Sequence, residues 1–320
     1  MVSGDRQGDI SWRCDGWSPL VTGVESFGLA VLAAALVGVA AVLSNRLAEW
    51  LRIPAPALFL VGAAVASDVW PRLGAVSVST VEKVVTLALA VILFDGGMHI
   101  GRRRFRSAAA ATVWIGVAGT LVTAVAGAVL AHALFGLDWR IALLLGTALA
   151  PTDPAVVFSV LGRREIVGRT GVLLEGESGA NDPVGIALIV ALLGASTLSA
   201  GAVGHVAGVF ALQMLVGAAV GVAGGLALLW FMRRVPLPTA GLYALRVLAS
   251  ALVIYGAATV AHGSGFLAVF AAGIVIGDER APYKREIERF HSALASMAEI
   301  VAFLLLGLTI NLGRLGDGRA

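Results

Sequence analysis

Long apolar stretches separated by short polar segments run along most of the chain. A stretch of about 20 apolar residues has the length of a helix that crosses a bilayer. The pattern predicts an all-α polytopic membrane protein with about ten transmembrane helices, of which the second and ninth are short for complete spans. The predicted helices cover residues 24–44, 54–68, 79–98, 108–135, 139–161, 175–195, 206–232, 241–261, 264–277 and 296–312. They place a transmembrane domain at 24–312, between an N-terminal tail at 1–23 and a C-terminal tail at 313–320.

Basic residues alternate between the predicted loops. The even-numbered loops hold only Arg72 and Arg140, whereas the odd-numbered loops hold most of the arginines, including the run Arg102–Arg104. Loops rich in arginine and lysine stay on the cytoplasmic side of a membrane. The alternation therefore predicts a multi-pass protein of the plasma membrane with an extracytoplasmic N-terminus. The excess of arginine over lysine, with much alanine, glycine and valine, indicates a GC-rich bacterial gene.

Composition supports the membrane assignment and excludes several classes of protein. Hydrophobic residues make up 58% of the chain and charged residues 13%, whereas soluble domains average about 25% charged residues. The 40 glycines suit close packing between helices in lipid. A single cysteine, Cys14, excludes an intrachain disulfide. The net charge of +3 belongs to loop arginines, so we expect no nucleic-acid partner, and nothing in the sequence calls for a cofactor.

Two polar interruptions fall inside predicted membrane spans. The first is Pro151–Pro154, and the second is Glu175–Pro183. A carboxylate at membrane depth is costly, which makes it a candidate functional group. The prolines leave backbone carbonyls without helical partners, and discontinuous helices near the midplane form ion sites in secondary transporters. A helix cap at a proline kink remains the structural alternative for Asp153.

The side chains of the two interruptions offer oxygen ligands for a monovalent cation. Ser178, Asn181 and Asp182 follow an i, i+3, i+4 spacing, which places them on one helical face. Thr152 adds a hydroxyl beside Asp153. If the two helices cross, Asp182 and Asp153 are the expected ligands of the cation. A buried carboxylate that holds either a proton or a cation, but not both, is sufficient for exchange.

Four segments, read together, resemble the monovalent cation:proton antiporters, and most closely the NhaP-type sodium/proton exchangers and their potassium/proton relatives. These segments are Leu93–Met98 (LFDGGM), Pro151–Asp153 (PTD), Glu175–Pro183 (EGESGANDP) and Gly263–Val269 (GSGFLAV). The resemblance runs from about residue 25 to 315. The Glu-Ser-Gly-X-Asn-Asp-Pro string is the most specific part of it.

The resemblance implies an antiporter fold with a dimer-forming panel and a mobile core, hence a transporter and not an enzyme. Asp182 would bind Na⁺ or K⁺ and H⁺ alternately. Asp153 and Thr152 would support it, with Ser178 and Asn181 nearby. In this superfamily an asparagine before the aspartate goes with electroneutral exchange. The resemblance also implies a homodimer.

Further polar residues are possible supporting groups of the site. They are Asp95, Glu175, Glu177, Arg246 and Glu299. Each has a structural alternative: Glu175 and Glu177 suit an interfacial first turn, and Arg246 could extend to the cytoplasmic face. Four of the five histidines, including His291, fall near span ends and are interpreted as interfacial.

The end of the chain departs from the family pattern. Relatives continue beyond Gly307–Ile310 with two or three more helices, which include a late Arg-Gly-Ala motif. The resemblance therefore implies an incomplete inverted repeat, and an inactive or regulatory antiporter fragment is one alternative. A remote alternative comes from Gly176–Gly179, which matches the Gly-X-Ser-Gly pattern of intramembrane serine proteases. Ser178 would then need a histidine on another span, such as His132 or His262.

Overall fold

The chain folds almost entirely into helices. The computed structural model describes residues 18–51, 53–71, 73–152, 169–194 and 200–313, and these ranges contain no β-strand. The all-α prediction is confirmed. The α-helices are α1 (Ser18–Leu51), α2 (Ala55–Val69), α3 (Val78–Trp114), α4 (Thr120–Phe135), α5 (Trp139–Leu149), α6 (Arg169–Leu193), α7 (Ala200–Arg234), α8 (Ala240–Val260), α9 (Gly265–Gly277) and α10 (Lys284–Leu308). A 3₁₀ turn at Leu73–Ala75 precedes α3, and a π-helical turn at Ile115–Gly119 joins α3 to α4.

The chain divides into two compact units. Met1–Leu51 forms the first unit and Arg52–Ala320 forms the second. Within the first unit, α1 spans 34 residues, or about 51 Å of helix at 1.5 Å per residue. All the other described helices belong to the second unit.

Five of the described helical segments are long and apolar enough to cross a bilayer. They are Val78–Ser107, Ala109–Phe135, Gly201–Arg234, Ala240–Val260 and Lys284–Leu308. Shorter apolar segments occur in α1, α2, α5, α6 and α9. The predicted polytopic pattern is therefore present. The predicted shortness of the second and ninth spans corresponds to the 15 residues of α2 and the 13 residues of α9.

Helix α10 begins earlier than the apolar pattern predicts. It starts at Lys284 and not near residue 296. Its buried positions include Ile287, His291, Ala295 and Ala298, a spacing of three and four residues that follows one helical face. Charged residues occupy the other faces of the first turns, so mean hydropathy alone does not detect them as helix.

Helix α9 forms the centre of the second unit. It packs between α3 and α7, and nine of its 13 residues are buried. A helix that is apolar on all sides requires such a position. The main buried cluster includes Phe94 of α3, Val247 of α8 and Val269 and Phe270 of α9. This core supports the face of α6 that carries the candidate site.

A sharp turn at Gly101 divides α3 into two helical parts. Gly101 has φ 68°, a left-handed conformation that glycine adopts without a steric penalty. Asp278, just after α9, accepts a hydrogen bond from the backbone N–H of Arg103 at 2.6 Å. Glu279 lies 3.6 Å from Arg102 and 2.8 Å from Arg233 of α7. These contacts join the Gly101 turn of α3 to the ends of α7 and α9 at one arginine-rich end of the second unit.

Arg246 stabilises the end of α7, and its partners among the described residues include no carboxylate. Arg246 is 8% exposed, and its guanidinium donates to the carbonyl oxygens of Val235 at 2.7 Å and Phe231 at 3.4 Å. It also lies 4.9 Å and 4.7 Å from the ring centroids of Phe231 and Tyr243. A cation at a helix C-terminus complements the helix dipole. These hydrogen bonds lie at the end of α7 that carries Arg233 and Arg234, and extension of Arg246 to the cytoplasmic face stays a prediction.

We expect Arg246→Met to destabilise the protein by about 2 kcal/mol, the contribution of a hydrogen bond to a charged group. The substitution leaves the carbonyl oxygen of Val235 without its donor. Thermal unfolding in detergent measures the change. Arg234→Met is the matched control, because Arg234 ends the same helix but is exposed. Equal melting temperatures for the two variants would contradict the expectation.

Candidate ion-binding site

The first predicted interruption coincides with the end of α5. The helix stops at Leu149, and Pro151 and Thr152 continue without regular structure. Proline has no N–H, so the carbonyl oxygen of Thr147 lacks its α-helical donor and receives a 3.3 Å hydrogen bond from Ala150 instead. Asp153 lies outside the described residues, as does the remainder of the segment up to residue 168.

The second predicted interruption is not a break. Helix α6 passes through Pro183 without interruption from Arg169 to Leu193, so the expectation of a discontinuous helix here is wrong. A proline removes one hydrogen bond to the carbonyl four residues earlier, in this case that of Gly179. The hydrogen bonds before and after this position keep the backbone helical, and neighbouring helices support it.

A hydrogen bond joins the end of α5 to α6 beside Asp182. The side-chain amide of Asn181 donates through Nδ2 to Thr152 Oγ1 at 2.8 Å. Asn181 is 3% exposed, and Asp182 is half-buried. The structure therefore brings together Thr152, Asn181 and Asp182, three of the residues that the sequence predicts for one site. Their hydroxyl, amide and carboxylate oxygens are groups that hard cations prefer.

Three further predicted residues lie on the same helix. Glu175 and Ser178 belong to α6, but their side chains lie outside the described part of the chain. Glu177 is half-buried. Within the described residues, no group of three or more His, Cys, Asp or Glu side chains is arranged to hold a metal ion.

Helix α6 has close contacts on two sides of the Asn181–Asp182 pair. A Cβ atom on Gly179 would lie 2.6 Å from Cζ of Phe270 in α9. A Cβ atom on Gly185 would lie 2.6 Å from Cγ of Pro151. No side chain fits at either position without displacing its neighbour. The two glycines therefore let α9 and the end of α5 approach the backbone of α6.

Asp95 and Glu299 occupy other positions in the fold. Asp95, on α3, is 9% exposed and accepts a 3.3 Å hydrogen bond from Ser292 Oγ of α10. Nδ1 of His99 lies 3.4 Å from its carboxylate. Glu299 is half-buried on α10. The described polar contacts of Asp95 thus join α3 to α10 and do not include α5 or α6.

Sequence reasoning did not single out Thr147, and it placed His291 wrongly. Thr147 of α5 and His291 of α10 are both 0% exposed. His291 donates through Nδ1 to the carbonyl of Ile287 at 2.8 Å, and its ring lies 5.5 Å from that of Phe94. It is therefore a core residue and not an interfacial one. The regular spacing of the buried face of α10 was the signal that could have identified it.

The histidines proposed as partners for a catalytic serine have other contacts. His132 Nδ1 lies 2.6 Å from the carbonyl oxygen of Leu137, and its ring stacks on Trp139 at 4.2 Å. His262 is exposed. Nothing in the described residues favours the protease alternative.

Both the fold and the sequence of this protein are similar to those of known antiporters. The structure is similar to that of the sodium proton antiporter MjNhaP1 from Methanocaldococcus jannaschii, with a TM-score of 0.70 and 21% identity, over 90% of this chain and 72% of that one. The fold is therefore that of a cation:proton antiporter, a multi-pass membrane protein. Residues 31–317 match the family described as sodium/hydrogen exchanger, transmembrane.

Curated relatives support the same family. The K(+)/H(+) antiporter NhaP of Alkalimonas amylolytica is 32% identical over 292 residues, which are 90% of this chain and 50% of that protein. The Na(+)/H(+) antiporter NhaH of Halobacillus dabanensis is 27% identical over 71% of this chain and 58% of its own length. The chain belongs to the transmembrane sodium/hydrogen exchanger family, whose members are transporters and not enzymes. This chain spans about half the length of the K(+)/H(+) antiporter NhaP of Alkalimonas amylolytica.

Proposed function

We propose that this protein exchanges a monovalent cation, Na⁺ or K⁺, for H⁺ across the plasma membrane. Asp182 binds the cation and the proton alternately, and Thr152, Asn181, Ser178 and Asp153 surround it. The observation that carries the proposal is the 2.8 Å hydrogen bond from Asn181 to Thr152. It ties the end of α5 to α6 at the residue that directly precedes Asp182.

The Asn181–Asp182 pair favours electroneutral exchange. Asn181 is neutral, so Asp182 is the one ionisable group of the Asn-Asp pair. One carboxylate balances one monovalent cation, and the same carboxylate takes one proton when the cation leaves. Neutral ligands such as the Thr152 hydroxyl replace water around the cation without changing this balance.

Prolines contribute acceptors on both helices. Pro151 lacks the donor that the carbonyl of Thr147 would otherwise use, and Pro183 lacks the donor for the carbonyl of Gly179. Backbone carbonyls at interrupted helices coordinate ions in secondary transporters. The carbonyl of Gly179 lies within one helical turn of Asn181, and that of Thr147 precedes Thr152 by five residues.

The proposal includes the orientation and the assembly of the protein. The Gly101 turn of α3 and the end of α7 carry Arg102, Arg103 and Arg233, which supports a cytoplasmic location for this end of the second unit. We also propose that the N-terminus is extracytoplasmic. We propose a homodimer in the membrane, which cross-linking in native membranes tests.

Proteoliposomes that contain the chain test the exchange. A pH-sensitive dye inside the vesicles follows proton movement after addition of NaCl or KCl, and the two salts separate the two cations. We expect a cation-dependent pH change whose initial rate is unaffected by an imposed membrane potential. Glu82→Gln, an exposed acid at the start of α3, is the matched control and should keep the full rate.

Two results would contradict this proposal. The absence of a pH change with either salt, from protein that is folded by thermal unfolding, would exclude exchange by this chain alone. A rate that depends on the membrane potential would exclude the electroneutral stoichiometry while leaving exchange itself in place.

A further inference from the structure

Thr147 carries a fully buried hydroxyl that has no hydrogen-bond partner among the described residues. A threonine in a helix usually bonds to the carbonyl three or four residues earlier. Buried polar atoms almost always have a partner, and leaving one unpaired costs about 1–3 kcal/mol. The hydroxyl of Thr147 therefore requires an explanation that the packing of α5 does not give.

The position of Thr147 on α5 directs it towards α6. Four residues earlier, Leu143 packs in a cluster with Ala191 and Leu192 of α6. Four residues later, Pro151 contacts α6 at Gly185. Residues four apart share one face of a helix, so Thr147 lies on the α6-facing stripe between these two contacts. Its backbone oxygen is 3.9 Å from the position of a Cβ on Gly185.

A second unpaired oxygen belongs to the candidate site itself. Asn181 uses its Nδ2 for Thr152, but its Oδ1 is buried without a partner in the described ranges. The carbonyl of Thr147 adds a third oxygen, because it has only a 3.3 Å hydrogen bond from Ala150. Asn181 is one turn before Gly185 on α6, so these oxygens border the same crossing of α5 and α6.

Neutral oxygens without protein partners can solvate a cation. They replace part of its water shell but bind it weakly, because they carry no net charge. An ion path needs such weak positions, since a cation must be able to leave each position for the next. The Thr147 hydroxyl, buried and unpaired within the described residues at the crossing of α5 and α6, has this property.

We propose that Thr147 provides an oxygen ligand for the transported monovalent cation at the crossing of α5 and α6 that also holds the Thr152–Asn181 pair. The Thr147 hydroxyl contributes to the affinity for the cation and to the choice between Na⁺ and K⁺. This inference rests on the proposed exchange function and extends it to a residue outside the family-like motifs.

Thr147→Val tests the inference because valine has the shape of threonine without the hydroxyl. We expect the KM for the cation to rise by about fivefold to tenfold, as loss of one neutral polar contact of about 1 kcal/mol implies. The maximal rate should change little, and Thr147→Ser should retain the wild-type KM. The Na⁺/K⁺ ratio of KM values should also change in the valine variant.

Thermal unfolding distinguishes a ligand role of the Thr147 hydroxyl from a structural one, because the loss of a structural hydrogen bond would lower the melting temperature. If the hydroxyl has no protein partner, Thr147→Val should be as stable as the wild type or more stable. Stabilisation by added NaCl or KCl should need a higher salt concentration in this variant. Thr259→Val is the matched control, since Thr259 makes the usual hydrogen bond to the carbonyl four residues earlier, and it should leave the KM unchanged.

The outcomes separate this inference from the proposed function. Normal exchange with a wild-type KM in Thr147→Val would overturn the inference and leave the exchange function standing. A raised KM in Thr147→Ser as well would also overturn it, because packing and not the hydroxyl would be responsible. Wild-type protein with neither exchange nor salt-dependent stabilisation would overturn both proposals.

Discussion

Asp182→Asn is expected to reduce cation-driven proton exchange to the level of liposomes without protein. Asparagine has nearly the shape of aspartate, so the packing of α6 is preserved. Its amide neither takes up a proton at physiological pH nor balances the charge of a cation. Both halves of the proposed exchange cycle are therefore lost together.

Stability measurements separate loss of chemistry from loss of fold. The melting temperature of Asp182→Asn should stay close to that of the wild type, because the half-buried position accommodates an amide. Asp182→Glu keeps the charge but moves the carboxylate, and it should retain a part of the rate with a changed KM. Substantial exchange by Asp182→Asn would show that another group carries the proton.

Gly179→Val is expected to be the most destabilising single substitution at the site. Its Cβ would lie 2.6 Å from Cζ of Phe270, and Phe270 is 2% exposed in the centre of the second unit. The ring is packed against the buried cluster of α3, α8 and α9. Overpacking of a dense core costs about 1–3 kcal/mol and occasionally more, and here it also displaces α6 beside Asn181.

A double-mutant cycle tests whether the contact with Phe270 is the cause. Phe270→Ala should itself destabilise the protein, but Gly179→Val should cost less in that background than in the wild type. Gly208→Ala is the matched control, because no atom lies within 4 Å of the Cβ position there. In a helix, alanine at this position should be neutral or slightly stabilising. Additive effects of the two substitutions would contradict the proposed contact.

The helices could be predicted from sequence where their pattern is purely apolar. The segment 241–261 corresponds closely to α8, and 264–277 corresponds to α9. The first turns of α10 were missed because their faces are mixed, and the helical order comes from one buried stripe against neighbouring helices. The turn at Gly101 was also missed, because a single glycine in a basic segment does not indicate its own backbone conformation.

The spacing of Ser178, Asn181 and Asp182 predicts that they share one helical face. The order of the family-like segments indicates Thr152 as a neighbour of this face. The continuity of α6 through Pro183 could not be predicted in this way, because it depends on support from the surrounding helices. The burial of Thr147 depends likewise on the α5–α6 crossing. A threonine within an apolar segment is common, so the sequence does not mark Thr147. Only the structure shows that its hydroxyl has no hydrogen-bond partner in the described part of the chain.

Pro183 has a mechanical consequence for α6. Bending a helix between residues 179 and 183 normally stretches the hydrogen bond that joins them, and Pro183 has no N–H to make that bond. The elastic resistance of α6 is therefore lowest over the turn that contains Asn181 and Asp182. Small changes in the angle between the two halves of α6 would move the carboxylate relative to Thr152 without breaking any further backbone hydrogen bond.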